Sequence, residues 1–260
     1  MEVRGLRLRV SVRGEGPPLL LLMGVGGAVE MWQPLVEELG DFETIAFDAP
    51  GTGESEVPRW PLRMPALADL AAELAFSLGH RSVDVLGVSY GGAVAQELAH
   101  RHPRLVRRLV LGATMPGPGV PGRLSALALL ATPYRYYSRA HFRSVAASLY
   151  GGEIARRPEL MEREAFTRLG HAPSLRGYLF QLAALAGWTS LPYLHRLRQP
   201  TLILAGDDDP IIRVVNGRLL AHLIPDARLH VIRGGGHLFL VDQPAESAEL
   251  IRDFLSEGGP

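Results

Sequence analysis

Residues 82–100, SVDVLGVSYGGAVAQELAH, join a short apolar segment to a helical one through the motif Gly87-Val88-Ser89-Tyr90-Gly91. Residues Ser82–Leu86 predict a strand, and Tyr90–His100 predicts a helix. A G-x-S-x-G motif between a strand and a helix places its serine on a sharp turn, with the hydroxyl above the end of the sheet. The motif therefore predicts Ser89 as a nucleophile.

Strands and helices alternate on both sides of this motif. The predicted strands cover residues 6–12, 19–23, 44–47, 82–86, 109–111, 201–205 and 228–232. The predicted helices include residues 65–78, 90–100 and 245–255. This order is typical of an α/β protein with a mainly parallel sheet flanked by helices.

The segment from Met115 to His195 interrupts this alternation, because it contains helical stretches separated by prolines and no clear strand. It also holds many of the chain's 18 aromatic residues (3 Trp, 7 Tyr and 8 Phe). We therefore predict a helical cap at residues 115–195, inserted into a core formed by residues 1–114 and 196–260. Its aromatic residues predict either packing onto the core or an apolar slot for substrate.

A serine hydroxyl needs a base to take its proton before it becomes a strong nucleophile. Of the nine histidines, His237 has the setting that such a base requires. It follows the predicted strand 228–232 and the loop Arg233-Gly234-Gly235-Gly236, so it lies at the carboxyl end of a strand. We predict His237 as the general base.

The imidazole of such a base is oriented by an acid. Gly206-Asp207-Asp208-Asp209-Pro210 directly follows the predicted strand 201–205, so one of its three carboxylates should face the imidazole. The resulting order along the chain is Ser, Asp, His, which is the order found in proteins whose catalytic serine lies in this motif. Three adjacent acids could also bind a metal, but no other cluster of acids or histidines completes such a site. We predict no metal.

An oxyanion hole needs two backbone N–H donors near the reacting carbonyl oxygen. The amide of Tyr90 is one candidate, because it follows the nucleophile. Val25 is the other, because the loop Gly24-Val25-Gly26-Gly27 follows the predicted strand 19–23. That loop lacks the G-x-G-x-x-G spacing of a dinucleotide site, so we predict no nucleotide cofactor.

Composition excludes several other chemistries. The 260 residues contain no Cys, which removes disulfides, thiolate metal sites and a cysteine nucleophile. All 27 basic residues are Arg, so no lysine is present to form a Schiff base or a Walker-type phosphate loop. The net charge of 0 argues against a nucleic-acid partner. No targeting or membrane-spanning segment is apparent, which predicts a cytoplasmic protein; the oligomeric state stays open.

From about Leu19 to Leu240 the chain resembles the α/β-hydrolase superfamily and, more closely, the intracellular poly(3-hydroxyalkanoate) depolymerases. The matching stretches are 45–51, 87–93, 150–152 with 157–160, 187–190, 199–210 and 236–240. The resemblance implies that Ser89 is the nucleophile, Asp209 the acid and His237 the base.

Three positions depart from the pattern of those families. Met23-Gly24 stands where many superfamily members have His-Gly, Tyr90 where the depolymerases have Trp, and Arg213 where proline is common. The first two should line the acyl site. Met23 and Gly24, together with Trp188 from the matching stretch 187–190, are expected to contact substrate.

The resemblance implies a serine ester hydrolase that works through an acyl-enzyme without a cofactor. Its expected substrate is the ester linkage of intracellular poly(3-hydroxyalkanoate), with 3-hydroxy acids as products and the polyester granule surface as a candidate partner. A carboxylesterase or carbon–carbon bond hydrolase acting on small molecules is the alternative. A non-catalytic binding protein on the same fold is the second alternative.

Overall fold

The computed structural model describes residues 1–117 and 119–257; the predicted cap and core also include Pro118 and residues 258–260, which lie outside the described residues. The strands are β1 Glu2–Val3, β2 Leu6–Arg7, β3 Val10–Arg13, β4 Pro18–Leu22, β5 Glu43–Phe47, β6 Val83–Val88, β7 Val106–Gly112, β8 Thr201–Gly206 and β9 Ala227–Ile232. The helices are α1 Gln33–Glu38, α2 Met64–Ser77, α3 Tyr90–Arg101, α4 Leu124–Leu130, α5 Arg139–Tyr150, α6 Gly152–Arg156, α7 Pro158–Gly170, α8 Leu175–Leu185, α9 Val214–Leu223, α10 Phe239–Asp242 and α11 Pro244–Ser256.

Seven strands form one sheet in the order β3-β5-β4-β6-β7-β8-β9. Strand β3 is antiparallel to β5, and every other pair of neighbours in this sheet is parallel. The carboxyl ends of the parallel strands therefore meet at one edge, which is where ligands bind in sheets of this kind. The predicted α/β architecture is confirmed.

The central strands are mostly apolar because both faces of the sheet are covered. Along β4, Leu20 and Leu22 pack into the cluster that includes helices α2 and α3, whereas Leu19 and Leu21 pack into the cluster that includes α1 and α11. All six residues of β6 are buried. Burial along the whole length of a strand is expected of parallel strands that are covered on both faces. This packing fixes the position of the turn that follows β6.

The N-terminal prediction of a single strand over residues 6–12 is wrong. Leu6–Arg7 pairs back on Glu2–Val3, and only Val10–Arg13 joins the main sheet. Arg4 and Gly5 form the connecting turn with φ of 51° and 73°, the combination that a tight two-residue hairpin requires. Leu8 then turns inward and is only 1% exposed, which separates the two strand segments.

Helices α4 to α8 lie between β7 and β8, in the segment that the sequence predicts as a helical cap. Their apolar cluster includes Phe142, Leu149 and Ile154, and it continues into the core through Ile211 and Ile212 after β8. The cap is thus packed onto the carboxyl edge of the sheet. The domain boundaries at 115 and 195 stay a prediction.

Candidate active site

Ser89 occupies the sharp turn between β6 and α3. Its backbone has φ 54° and ψ −116°, a conformation that non-glycine residues adopt only under strain. The Ser89 amide donates to the carbonyl of Gly112 at 2.9 Å, and the Thr114 hydroxyl donates to the Ser89 carbonyl at 2.8 Å. Strand β7 and the residues after it therefore hold the strained turn in place.

Gly91 allows helix α3 to begin directly against the end of β4. A Cβ atom at this position would lie 1.9 Å from the carbonyl oxygen of Leu22, which no side chain tolerates. The close approach brings the start of α3 beside the loop that follows β4. Ser89 and the predicted oxyanion loop consequently become neighbours.

His237 follows β9 and points its imidazole at the serine. Its Nε2 lies 3.1 Å from Ser89 Oγ, and its backbone N–H donates to the carbonyl of Tyr150 in the cap at 2.7 Å. The residue is 7% exposed. The distance is that of a hydrogen bond through which a hydroxyl proton could pass to the ring.

Asp209 is the member of the acidic triplet that reaches the imidazole. Its Oδ2 lies 2.7 Å from His237 Nδ1, while its Oδ1 accepts the backbone N–H groups of Ile211 at 2.7 Å and Ile212 at 2.9 Å. A carboxylate only accepts hydrogen bonds, so Nδ1 carries the ring proton and Nε2 is free to accept from Ser89. The structure thus brings Ser89, His237 and Asp209 into one hydrogen-bonded row.

The residues that carry the two predicted oxyanion donors, Val25 and Tyr90, line one cavity together with Ser89. Within residues 1–117 and 119–257, neither the Val25 amide nor the Tyr90 amide donates a hydrogen bond to another residue. The loop that carries Val25 is fixed by the cap: the Gly26 N–H donates to Gln181 Oε1 at 2.7 Å, and the Tyr136 hydroxyl donates to the Val25 carbonyl at 2.9 Å. Neither Gln181 nor Tyr136 belongs to a motif that sequence reasoning could have found.

Two cavities meet at Ser89, Val25 and Leu130. The smaller one, of about 60 Å³, is lined by His237, Met23 and Gly24, together with Arg135 and Arg168 from the cap. We call it the histidine-side cavity. Sequence analysis did not identify either arginine, because nothing in the local pattern distinguishes them from the other seven arginines of the cap.

The larger cavity, of about 470 Å³, is lined mainly by apolar residues such as Leu182, Ile211 and Ile212. We call it the apolar cavity. Trp188 lies in its wall, with its indole N–H donated to Glu97 at 3.0 Å, so the ring is held in one orientation. The Tyr90 side chain also reaches this wall, and burial raises the pKa of its hydroxyl.

Asp242 is an unusual acid close to the site. It lies on α10, five residues after His237, and is 7% exposed. Neither carboxylate oxygen accepts a hydrogen bond of normal geometry from a described residue. Burial raises the pKa of this carboxyl group to about 6. The mechanism proposed below does not use it.

Residues 1–117 and 119–257 contain no group of three or more His, Cys, Asp or Glu side chains arranged to hold a metal ion. None of the helices in this part of the chain is sufficiently long and apolar to span a lipid bilayer.

Comparison with known proteins identifies the family. A sequence model of the alpha/beta hydrolase fold matches residues 17–244, nearly the whole chain. This chain belongs to the alpha/beta hydrolase family. It is also 44% identical to a poly(3-hydroxyalkanoate) depolymerase of Ectopseudomonas oleovorans over a 263-residue alignment, which covers 99% of this chain and 92% of the relative. The resemblance drawn from the sequence is thereby confirmed, and the chain is a hydrolase.

Solved structures of other alpha/beta hydrolases share the fold. The enol-lactonase from Burkholderia xenovorans superimposes with a TM-score of 0.86, at 23% identity and with 99% of each chain covered. A thermophilic esterase from Thermogutta terrifontis gives a TM-score of 0.80 at 29% identity, covering 96% of this chain and 93% of the esterase. Hydrolysis of an ester bond is consistent with the similarity to this esterase.

Proposed function

We propose that this alpha/beta hydrolase cleaves carboxylic esters through an acyl-enzyme, and that its substrate is the ester linkage of poly(3-hydroxyalkanoate). The observation that carries the proposal is the row formed by Ser89, His237 and Asp209, with hydrogen-bond distances of 3.1 Å and 2.7 Å. A serine, a base and an orienting acid at these distances are the parts that acyl transfer requires.

In this mechanism Ser89 Oγ attacks the ester carbonyl carbon while its proton passes to His237 Nε2. The amides of Val25 and Tyr90 donate hydrogen bonds to the oxyanion that forms. The bond to the leaving alkoxide then breaks, and the imidazolium gives its proton to that alkoxide. Water attacks the acyl-enzyme with His237 again as base, which releases the carboxylic acid and restores Ser89. Asp209 holds the ring and stabilises the imidazolium.

The polymer substrate is supported by the relative and by the cavities. The Ectopseudomonas oleovorans relative, 44% identical over nearly its full length, carries the name poly(3-hydroxyalkanoate) depolymerase. The apolar cavity beside Ser89 offers space for an alkyl side chain of the acyl unit. The proposal includes the predicted cytoplasmic location and contact with polyester granules.

Two assays test the proposal. Incubation with amorphous polymer granules should release 3-hydroxy acids, and a fluorophosphonate probe should label Ser89 in the folded protein. Absence of labelling would favour the non-catalytic binding protein. The Ser89→Ala variant is the control for both assays, since it should fold and yet neither clear granules nor take up the probe.

A carboxylesterase acting on small molecules is the second candidate, and the 29% identity to the Thermogutta terrifontis esterase favours it. Such an enzyme would use the same row of residues. Turnover of p-nitrophenyl esters without any release of 3-hydroxy acids from granules would support this candidate and reject the polymer substrate.

A further inference from the structure

The histidine-side cavity contains two buried arginines. Arg135 lies in a short helical turn before α5 and is 2% exposed, and Arg168 lies on α7 and is 4% exposed. Both line the cavity that also contains Ser89 and His237. Arginines are rarely this buried unless a partner compensates their charge.

The described residues compensate only part of that charge. Arg168 forms an ion pair with the buried Glu164 at 3.5 Å, and its Nε has no hydrogen-bond partner. Arg135 forms no ion pair with a described carboxylate; it donates Nε to the Tyr150 hydroxyl and Nη1 to the Thr132 carbonyl, both at 3.0 Å. These two bonds use two of the five N–H groups of a guanidinium. One net positive charge therefore remains in the cavity wall.

Aromatic rings hold the two guanidinium groups in position. Arg135 lies 4.7 Å from the ring centre of Tyr136 and 5.3 Å from that of Tyr178, and Arg168 lies 5.0 Å from that of Tyr150. Cation–π contacts of this kind stabilise a buried cation but accept no hydrogen bonds from it. Apart from the bond that Arg168 Nη1 donates to the Tyr136 hydroxyl at 3.2 Å, these contacts leave N–H groups of the two guanidinium groups for another acceptor, such as an anion.

The reaction geometry indicates which part of a substrate meets these arginines. Because His237 protonates the leaving alkoxide, the leaving group must lie in the cavity that His237 lines. The acyl group then occupies the apolar cavity, whose lining includes Ser89 but not His237. An anion bound by Arg135 and Arg168 is therefore carried by the leaving alcohol.

We propose that Arg135 and Arg168 form a subsite for a carboxylate on the leaving alcohol, which in a 3-hydroxyalkanoate chain is the free carboxyl end. This inference rests on the ester hydrolysis proposed above. When that last ester bond is cleaved with one water, the acyl chain leaves as a carboxylic acid and the terminal unit leaves as a free 3-hydroxy acid. A planar guanidinium fits the carboxylate in a bidentate manner. The enzyme then works inward from carboxyl ends.

A pair of soluble substrates tests the subsite: the linear dimer of 3-hydroxybutyrate with a free carboxylate, and the methyl ester of the same dimer. The wild-type kcat/KM at the internal ester bond should be at least about ten- to a hundredfold higher for the free acid, the range supplied by one hydrogen bond to a charged group. The Arg135→Gln variant should lose this preference, because its kcat/KM should fall by a larger factor for the acid than for the methyl ester.

Arg139→Gln is the matched control, because Arg139 is an exposed arginine of the same cap that pairs with Glu162 at 3.1 Å. It should leave both rates unchanged. Arg168→Gln is less suitable, since it would leave Glu164 buried without its cation. A measurement on wild-type protein avoids variants altogether: 3-hydroxybutyrate should inhibit p-nitrophenyl butyrate hydrolysis at a concentration at least about tenfold lower than its methyl ester does.

The outcomes separate this inference from the function on which it rests. Equal wild-type kcat/KM for the two dimers, with turnover of both, overturns the subsite and leaves ester hydrolysis intact. An equal loss on both dimers in Arg135→Gln makes Arg135 a structural residue and also overturns it. No turnover of either dimer or of p-nitrophenyl butyrate rejects the proposed ester hydrolysis itself.

Discussion

Three adjacent carboxylates illustrate how position decides the role of a residue. Asp207 Oδ1 accepts the Gly234 N–H at 2.6 Å, and Asp208 Oδ2 accepts the Gly152 N–H at 3.0 Å. Both side chains are exposed, whereas the Asp209 carboxylate is buried against His237. Only Asp209 therefore has a geometry in which its charge acts on the imidazole.

We expect the Asp209→Asn substitution to lower kcat by about ten thousandfold, because an amide can stabilise the wrong ring tautomer. Asp208→Asn is the matched control and should change kcat little, since Asp208 contacts the Gly152 amide and Arg156 rather than the imidazole. Steady-state kinetics on p-nitrophenyl butyrate measure both variants. A larger loss for Asp208→Asn would show that the acid has been assigned wrongly.

The buried carboxyl group of Asp242 should make the free energy of unfolding depend on pH. Burial raises the pKa of its carboxyl group from 3.8 to about 6 in the folded chain. Between these two values the unfolded chain loses the proton and the folded chain keeps it, so the free energy of unfolding falls as pH rises. This decrease in the free energy of unfolding should be complete above about pH 7 and should amount to on the order of 3 kcal/mol.

The Asp242→Asn variant should consequently be more stabilised, relative to wild type, at pH 7.5 than at pH 5. Urea denaturation at the two pH values measures this difference, and any cost of the amide itself cancels between them. Asp253→Asn, at an exposed position of α11, is the control and should show no such dependence on pH. A pH-independent effect of Asp242→Asn would contradict the raised pKa.

At the scale of elements, the sequence was sufficient where a segment's own pattern determines its environment. The buried strands around Leu19–Leu22 and Val83–Val88 agree with prediction to within two residues, because strands buried on both faces are mostly apolar. The prediction of one strand over residues 6–12 is wrong because the tight turn at Arg4-Gly5 pairs Leu6–Arg7 with Glu2–Val3, which the alternation of polar and apolar residues does not reveal.

The residues of the candidate site also fall into two groups: those that a local sequence pattern predicts and those that it does not. Ser89 and His237 lie beside recognisable glycine turns, so their positions could be predicted. Tyr136, Gln181 and the two buried arginines could not, because they reach the site only when cap helices fold onto the core. Pairing between segments more than 100 residues apart leaves no signal in a local pattern; Gln181 and Gly26, for example, are separated by 155 positions.

The contact between Gln181 on α8 and Gly26 in the oxyanion loop should support catalysis. Gln181→Ala removes the acceptor of the Gly26 N–H and should lower kcat about tenfold, with a smaller change in KM. Complete loss of one oxyanion donor costs a hundred- to a thousandfold, and a misplaced loop costs part of this. Gln181 is a positioning residue, since it contacts the loop and not the reacting atoms.

Gln33→Ala is the matched control, because the Gln33 side chain is exposed and donates to Glu37 on the same helix. Kinetics should be accompanied by a melting curve for each variant. Partial rescue of kcat by Gln181→Glu, whose carboxylate can again accept the Gly26 N–H, would support positioning. A lower melting temperature with unchanged kcat would instead make Gln181 a purely structural residue.

On the scale of the whole molecule, exposed apolar surface is concentrated on the cap. Twelve large apolar side chains are exposed among the described residues, and eight of them lie between residues 115 and 195. They are Val120, Leu124, Tyr134, Tyr137, Phe166, Leu175, Leu179 and Leu191. Isolated exposed apolar residues are ordinary, but their concentration on one insertion favours contact with an apolar surface. A polyester granule has such a surface.

The double variant Leu124→Ser with Phe166→Ser tests this contact, because both side chains are 79% exposed and support no part of the core. Each side chain buried against the polymer should contribute about 1.5–3 kcal/mol, so granule binding and clearing should fall at least about tenfold. Turnover of p-nitrophenyl butyrate should not change. Val215→Ser, at an exposed apolar position on core helix α9, should leave both activities at the wild-type level. If the double variant clears granules as fast as wild type, the cap surface is not the docking face, and the enzyme must reach polymer chains by another route.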